Sequence, residues 1–295
     1  MPLRAPPTGA ERDAEPDVPS YCADAPLPST RELFASAGWR LLERLGAGGS
    51  SEVWLALDDR GRSVALKIPR SDVPAHDALA RLEREHEVIA AARHGHVVAT
   101  HGLVEHRGAC ALALEYLPGG DLVALAGTEP RHWLRAARAV HDALAHLHTV
   151  GLAHRDVKAR NVLFDARGRA KLIDFASALP LGSVARAGGT TAAHLRSGGD
   201  PIVAAADDAY AYAVLLYELF AGRLPYGPSG RPARQAWSRA RLGSPWRGAR
   251  KGPTAALAGR VRDVLEADPA RAPGLSVFAD VLESAVTAEL EPAEI

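Results

Sequence analysis

The sequence predicts an α+β chain in two lobes, a small antiparallel sheet lobe with one helix followed by a larger, mainly helical lobe. Three observations carry this. Short strand-like runs at residues 39–45, 53–57, 64–68, 97–104 and 110–116 are separated by turn-forming segments at 46–49, 58–61 and 107–108. One helical stretch, 75–93, interrupts them with Leu79, Leu82, Val88 and Ile89 at helix-like spacing. After Pro118-Gly119-Gly120 the pattern turns mostly helical.

In chain order, the first 30 residues hold 7 of the 21 prolines, with unpatterned charges and no apolar face. Residues 1–35 are therefore expected to be a disordered Pro-rich tail and 36–118 the sheet lobe. Residues 119–289 are expected to form the helical lobe, and 290–295 a short C-terminal tail. Within the helical lobe, 131–148 places Leu134, Ala137, Val140, Leu144 and Leu147 on one stripe. The stretch 204–220 is apolar nearly all round apart from Asp207, Asp208 and Glu218, as a buried helix would be. Helical periodicity returns at 254–265 and 274–286, and no internal repeat is expected.

The chain has 295 residues, 47% hydrophobic and 24% charged, with 35 basic side chains against 35 acidic. That is ample for a sizeable core without metals or disulfides. Cys22 and Cys110 form neither a disulfide framework nor a CxxC knuckle, so a reducing, cytoplasmic setting is expected. No apolar run reaches the length of a signal peptide or membrane span, which argues against membrane partners. From Arg223 to Lys251 there are eight basic and no acidic residues, with Trp237 and Trp246 among them. Solvated arginines explain this better than nucleic-acid binding. His86, His94, His96, His101 and His106 lack Cys or carboxylates at ligand spacing, so a zinc site is not expected.

Composition also sets a contrast. Of the basic residues 31 are arginine, and the only lysines are Lys67, Lys158, Lys171 and Lys251; Asn161 is the sole asparagine. Positions where these types survive single themselves out.

Four motifs carry chemistry. Gly46-Ala47-Gly48-Gly49-Ser50-Ser51-Glu52-Val53 lies between two expected strands, where main-chain N–H groups can approach phosphate without a Cβ in the way. Taken alone, a plain Gly-rich hairpin fits as well. Val64-Ala65-Leu66-Lys67 is an apolar strand ending on a compact cation suited to phosphate, which needs a carboxylate from Glu83, Glu85 or Glu87 to stay charged when partly buried. A snorkelling surface lysine is the competing account. His154-Arg155-Asp156-Val157-Lys158-Ala159-Arg160-Asn161 sets a carboxylate, an ammonium and a carboxamide close together. Asp156 could accept a proton from a hydroxyl, and Asn161 offers a neutral oxygen to a hard cation. Lys171-Leu172-Ile173-Asp174-Phe175-Ala176 delivers an acid at a strand end, a natural Mg²⁺ ligand or simply a strand terminator.

In this order the four motifs resemble the signature set of eukaryotic-type (Hanks-type) serine/threonine protein kinases, over about 39–286. The resemblance implies a bilobed protein-kinase-like fold that transfers the γ-phosphate of ATP, with Mg²⁺, to a hydroxyl of a protein substrate. It implies that Asp156 is the catalytic base, that Lys158 stabilises the transferred group, and that Lys67 pairs with Glu85. Gly46, Ala47, Gly48, Gly49, Val53, Ala65 and Lys67 would form the nucleotide-covering side, with Ser51 replacing the third glycine. Leu114 would be the gatekeeper, Glu115 and Leu117 the hinge groups facing adenine, Asp121 a ribose contact and Leu163 part of the site. Asn161 and Asp174 would hold Mg²⁺, and Asp208 would tie its helix to the catalytic loop.

Two departures stand out. Ala176 occupies a glycine position, which should stiffen that loop. Leu195-Arg196-Ser197 replaces an Ala-Pro-Glu triplet, leaving Arg271, expected buried, without its usual acid unless one such as Asp200 substitutes. A nucleotide-binding pseudokinase or scaffold is the alternative favoured by these departures, and a small-molecule kinase of the aminoglycoside-phosphotransferase type is a second.

Overall fold

A computed structural model describes residues 30–184, 202–225, 252–267, 271 and 273–290. The basic stretch with Trp237 and Trp246, most of the Pro-rich N-terminus, Asp200, the Leu195-Arg196-Ser197 segment and the last five residues lie outside them.

The small lobe is a five-stranded antiparallel sheet of β1 (Arg40–Ala47), β2 (Ser51–Leu57), β3 (Ser63–Pro69), β4 (Thr100–His106) and β5 (Ala109–Glu115), in the order β1-β2-β3-β5-β4. Strand alternation divides its side chains. Ala65, Lys67, Leu112 and Leu114 share one face, because Ala65 pairs with Leu114 and Lys67 with Leu112. Helix α2 (Ala75–Ala91) packs on that side, burying Leu82 and Ile89.

Val64, Leu66, Ile68, Ala56, Ala111 and Ala113 point the other way and form a second core with Leu41 and Phe34. Phe34 lies in α1 (Thr30–Ser36) and is fully buried, so the small lobe begins before residue 36 and the expected tail is too long at its C-terminal end. The apolar outer face of β3 and β5 needs a lid, and one aromatic side chain supplies it. Arg31 stacks over Trp54 at 5.1 Å, adding a cation–π contact. The run 97–104 becomes a strand only from Thr100; Val97 instead bridges to Leu172 in the large lobe.

The large lobe is built on α3 (Pro130–Thr149), β6 (Leu152–Ala153), β7 (Val162–Phe164), β8 (Ala170–Leu172), β9 (Leu179–Pro180), α4 (Ala205–Ala221), α5 (Gly252–Glu266) and α6 (Ala279–Leu290). The expected helix at 274–286 divides into a short 3₁₀ turn, Leu275–Phe278, and α6. As expected, α4 is apolar nearly all round apart from Asp207, Asp208 and Glu218, with Tyr210 to Tyr217 buried. Tyr212 donates to the Ala137 carbonyl of α3 at 2.9 Å, and Trp133 meets Phe220 edge to face at 4.8 Å. Arg271 is exposed, so the burial cost expected for it does not arise.

One local device occurs twice. Asp58 and Asp165 each open a five-residue turn, Asp-x-Arg-Gly-Arg, linking β2 to β3 and β7 to β8. In both, Oδ1 accepts the N–H groups two and four residues on, at 2.8–2.9 Å, and Oδ2 accepts the second arginine's Nε. Burial opposes ionisation of Asp165, but these bonds outweigh it and take its carboxyl down to about 2.

Candidate active site

β3, α2 and the segment after β8 converge on one ammonium. Lys67 Nζ donates to both Glu85 oxygens at 2.7 Å and to Asp174 Oδ1 at 2.9 Å. Helical spacing gives the choice among three glutamates: Glu85 is 3% exposed, whereas Glu83 and Glu87 face solvent. Burial works against the Lys67 charge, yet Glu85 and Asp174 together lift it above its ordinary value. Burial likewise raises Asp174, and Lys67 overrides it to hold the carboxyl below the usual range. Asp174 has φ +62°, a left-handed backbone that aspartate tolerates better than most residues.

The second cluster lies between β6 and β7. Asp156 Oδ2 accepts from Lys158 Nζ at 2.6 Å and from Asn161 Nδ2 at 2.9 Å. Asn161 Nδ2 also donates to the Asp156 carbonyl at 2.8 Å. Both neighbours of that nitrogen are acceptors, which fixes the amide orientation and turns Oδ1 to other contacts.

A buried imidazole joins the two clusters. His154 Nδ1 accepts the Asp156 N–H at 3.2 Å, so its proton sits on Nε2 and donates to the Ile173 carbonyl at 3.1 Å, next to Asp174. Burial pushes the His154 ring down, consistent with this neutral tautomer. Phe175 meets the ring edge to face at 4.8 Å. Beneath, Asp208 of α4 is fully buried and accepts from His154 N at 2.8 Å, Arg155 N at 2.7 Å and His148 Nε2 at 3.0 Å. It holds Arg155 at φ +67°, where a bulky side chain is strained.

The remaining expected residues frame the gap between the lobes. Val53, Ala65, Leu114 and Leu117 of the small lobe and Leu163 of β7 belong to one apolar cluster. Gly46 and Ala47 end β1; Gly48 and Gly49 begin the turn, with Gly48 N donating to Ser51 O at 2.8 Å. A Cβ on Gly46 or Gly49 would meet nothing within 4 Å, so packing in this structure does not demand those glycines. Gly119 differs, because a Cβ there would stand 2.6 Å from Phe164 Cβ. Its N–H donates to Phe164 O at 2.8 Å, and this close approach ties the connecting segment to β7. Asp121 follows, bridged to Leu163.

A family model for the protein kinase domain matches residues 39–242. The chain belongs to the protein kinase family. NUAK family SNF1-like kinase 2 of Rattus norvegicus is 31% identical over 202 residues, covering 64% of this chain and 31% of that protein. Serine/threonine-protein kinase PrkC of Bacillus subtilis (strain 168) is 30% identical over 211 residues, 65% of this chain and 31% of its own. Serine/threonine-protein kinase PkaB of Streptomyces coelicolor is 35% identical over 209 residues, 64% and 49%. The kinase thus spans a third to a half of the length of these relatives.

Two further features bear on the expected site. The Glu115 side chain is engaged by its neighbours: its Oε2 accepts from Lys171 Nζ at 2.8 Å and from Ala99 N at 3.2 Å. Ala176 has no positive φ, so its methyl group fits the loop as folded. Glu218 of α4, an acid in the apolar stretch 204–220, meets charges from other elements. Burial raises its carboxyl, Arg160 opposes this and Asp121 adds to it, which places three charges from three elements in electrostatic contact. Among the described residues no group of His, Cys, Asp and Glu has metal-site geometry, and no helix is long and apolar enough to cross a membrane.

Proposed function

We propose that this kinase transfers the γ-phosphoryl group of ATP to a serine or threonine hydroxyl of a protein substrate, in the cytoplasm and with Mg²⁺. The observation that carries the reading is the ion triad of Lys67, Glu85 and Asp174, set by three separate elements and joined through His154 to the segment of Asp156, whose carboxylate has its own cation and amide. Lys67 is positioned to neutralise phosphate oxygens, and Glu85 fixes where it stands. Gly46, Gly48 and Gly49 leave room for phosphate against main-chain N–H groups. Val53, Ala65, Leu117 and Leu163 offer apolar walls to adenine, with Glu115 and Leu117 contributing main-chain groups and Asp121 a ribose acceptor.

Asn161 Oδ1 and Asp174 are hard oxygen donors, a set that fits Mg²⁺ with phosphates and water completing it. Bound there, the ion would offset charge on the phosphates. The substrate hydroxyl attacks the γ-phosphorus as the bond to the β–γ bridging oxygen breaks and ADP departs. Asp156 orients that hydroxyl and accepts its proton, while Lys158 offsets charge beside it. Lys158 and Asn161 hold one oxygen of Asp156, so its orientation is set before substrate arrives.

The test is the identity of the acceptor. Phosphoproteomics on cells with wild-type protein or Asp156→Asn should show phosphoserine or phosphothreonine sites lost in the variant. Transfer only to hydroxylated small molecules would overturn the reading in favour of a small-molecule kinase.

A further inference from the structure

Three imidazoles meet where the small lobe turns over the large one. His94 and His96 flank Gly95 between α2 and β4, and His146 comes from α3. The His94 and His146 rings stack with centroids 5.1 Å apart and planes 18° from parallel; His96 lies 5.6 Å from His94. The hydrogen bond at His94 describes a neutral ring. His94 Nδ1 accepts from His96 N at 3.3 Å, and His96 Nδ1 points at the Ala170 carbonyl at 2.9 Å. His146 Nε2 is buried with no hydrogen bond among the described residues.

Burial pushes His94 below its ordinary value, His146 and His96 push it the same way, and only Asp142 of α3 opposes. Asp142 is already engaged by Arg138 Nε at 3.0 and 3.1 Å and by His141 Nδ1 at 3.3 Å. On the β8 side, Arg169 and Lys171 flank Ala170 and are paired with Asp165 and Glu115. Arg93, next to His94 in the chain, is exposed. Among the described residues, Asp142, Asp165 and Glu115 each already have a cationic partner.

The turn matters because it connects two acids of the site. It continues from α2, which carries Glu85. It is also clamped to β8, which leads to Asp174: Leu172 N donates to His96 O at 2.8 Å and Val98 N to Leu172 O at 3.0 Å.

We propose that His94, stacked on His146 and beside His96, is an acid-sensitive latch between the lobes, whose protonation parts the turn from α3 and loosens the Lys67–Glu85–Asp174 triad. The sign follows from the neutral native ring of His94. The unfolded chain binds this proton more readily, so the contribution is present above the ordinary histidine value of about 6.5 and is lost as pH falls below it. His154, also buried and neutral, adds the same sign, and comparing variants with wild type cancels it. The activity consequence rests on the kinase reading; the latch itself does not.

The test uses the full chain as wild type, His146→Phe, His146→Gln and His94→Gln, with melting temperature and ATP transfer measured at about pH 8 and about pH 6. Wild type should lose at least ~3 °C more than the variants on acidification. Its transfer rate should fall at least about threefold further than theirs, since half a pKa unit of coupling already gives that ratio. Melting curves that drop equally in wild type and every folded variant would overturn the latch. A difference in melting without any transfer by wild type would uphold the latch and count against the kinase reading alone.

Discussion

Lys171 of β8 donates to the Glu115 carboxylate at 2.8 Å, joining the large lobe to the strand by which the chain leaves the small one. The lysine side chain is 9% exposed and the glutamate 25%, so removing one partner strands a charge that is largely out of water. Lys171→Met is expected to cost about 2 kcal/mol, visible as a lower midpoint in urea unfolding. It should also shift the KM for ATP, because Glu115 would no longer be held against Ala99. An unchanged midpoint and KM would mean the pair is ornamental.

Asp208 is the buried support of the segment leading to Asp156. Asp208→Asn keeps the shape but replaces an acceptor-only group serving three donors by one that can accept with a single atom. A loss of about 2–4 kcal/mol in stability is expected. The phosphoryl-transfer rate should fall together with it, since Arg155 is kept at its strained backbone by this side chain. Full activity in a folded Asp208→Asn protein would contradict that support.

Asp165 predicts an acid response. Its carboxyl sits at about 2 in the folded chain and near the ordinary aspartate value of about 3.9 unfolded. A lowered folded value contributes stability present above the unfolded value and lost as pH falls toward 2. Unfolding measured between about pH 5 and about pH 2 should be steeper in wild type than in Asp165→Asn. Parallel curves would show that the turn's hydrogen bonds do not depend on ionisation.

Much of this site is legible in the sequence because its residue types resist the drift of the composition. Lys67, Lys158 and Asn161 stand out in a chain that writes nearly every cation as arginine, and each falls in the site. The sheet and α4 follow from period and burial, which are local signals. What stayed hidden depends on distance or on a single side chain. The Lys171–Glu115 bond spans 56 positions, and no pattern announces it. Phe34 sits at the end of a proline-rich stretch whose composition masks one anchoring aromatic; only the bare outer face of β3 and β5 explains its burial. Arg271 was expected to be buried by its place in the motif, and its exposure is a matter of packing around it. The repeated Asp-x-Arg-Gly-Arg turn was readable but is too short to register as a repeat.

The central claim is that Asp156 serves phosphoryl transfer, and labelled ATP tests it directly. Purified full-length protein with ATP carrying a labelled γ-phosphate and Mg²⁺ should label itself or a generic Ser/Thr substrate. Asp156→Asn should reduce the rate by about 10²–10⁴-fold while retaining the fold. No transfer by wild type, or equal transfer by both, would contradict the account.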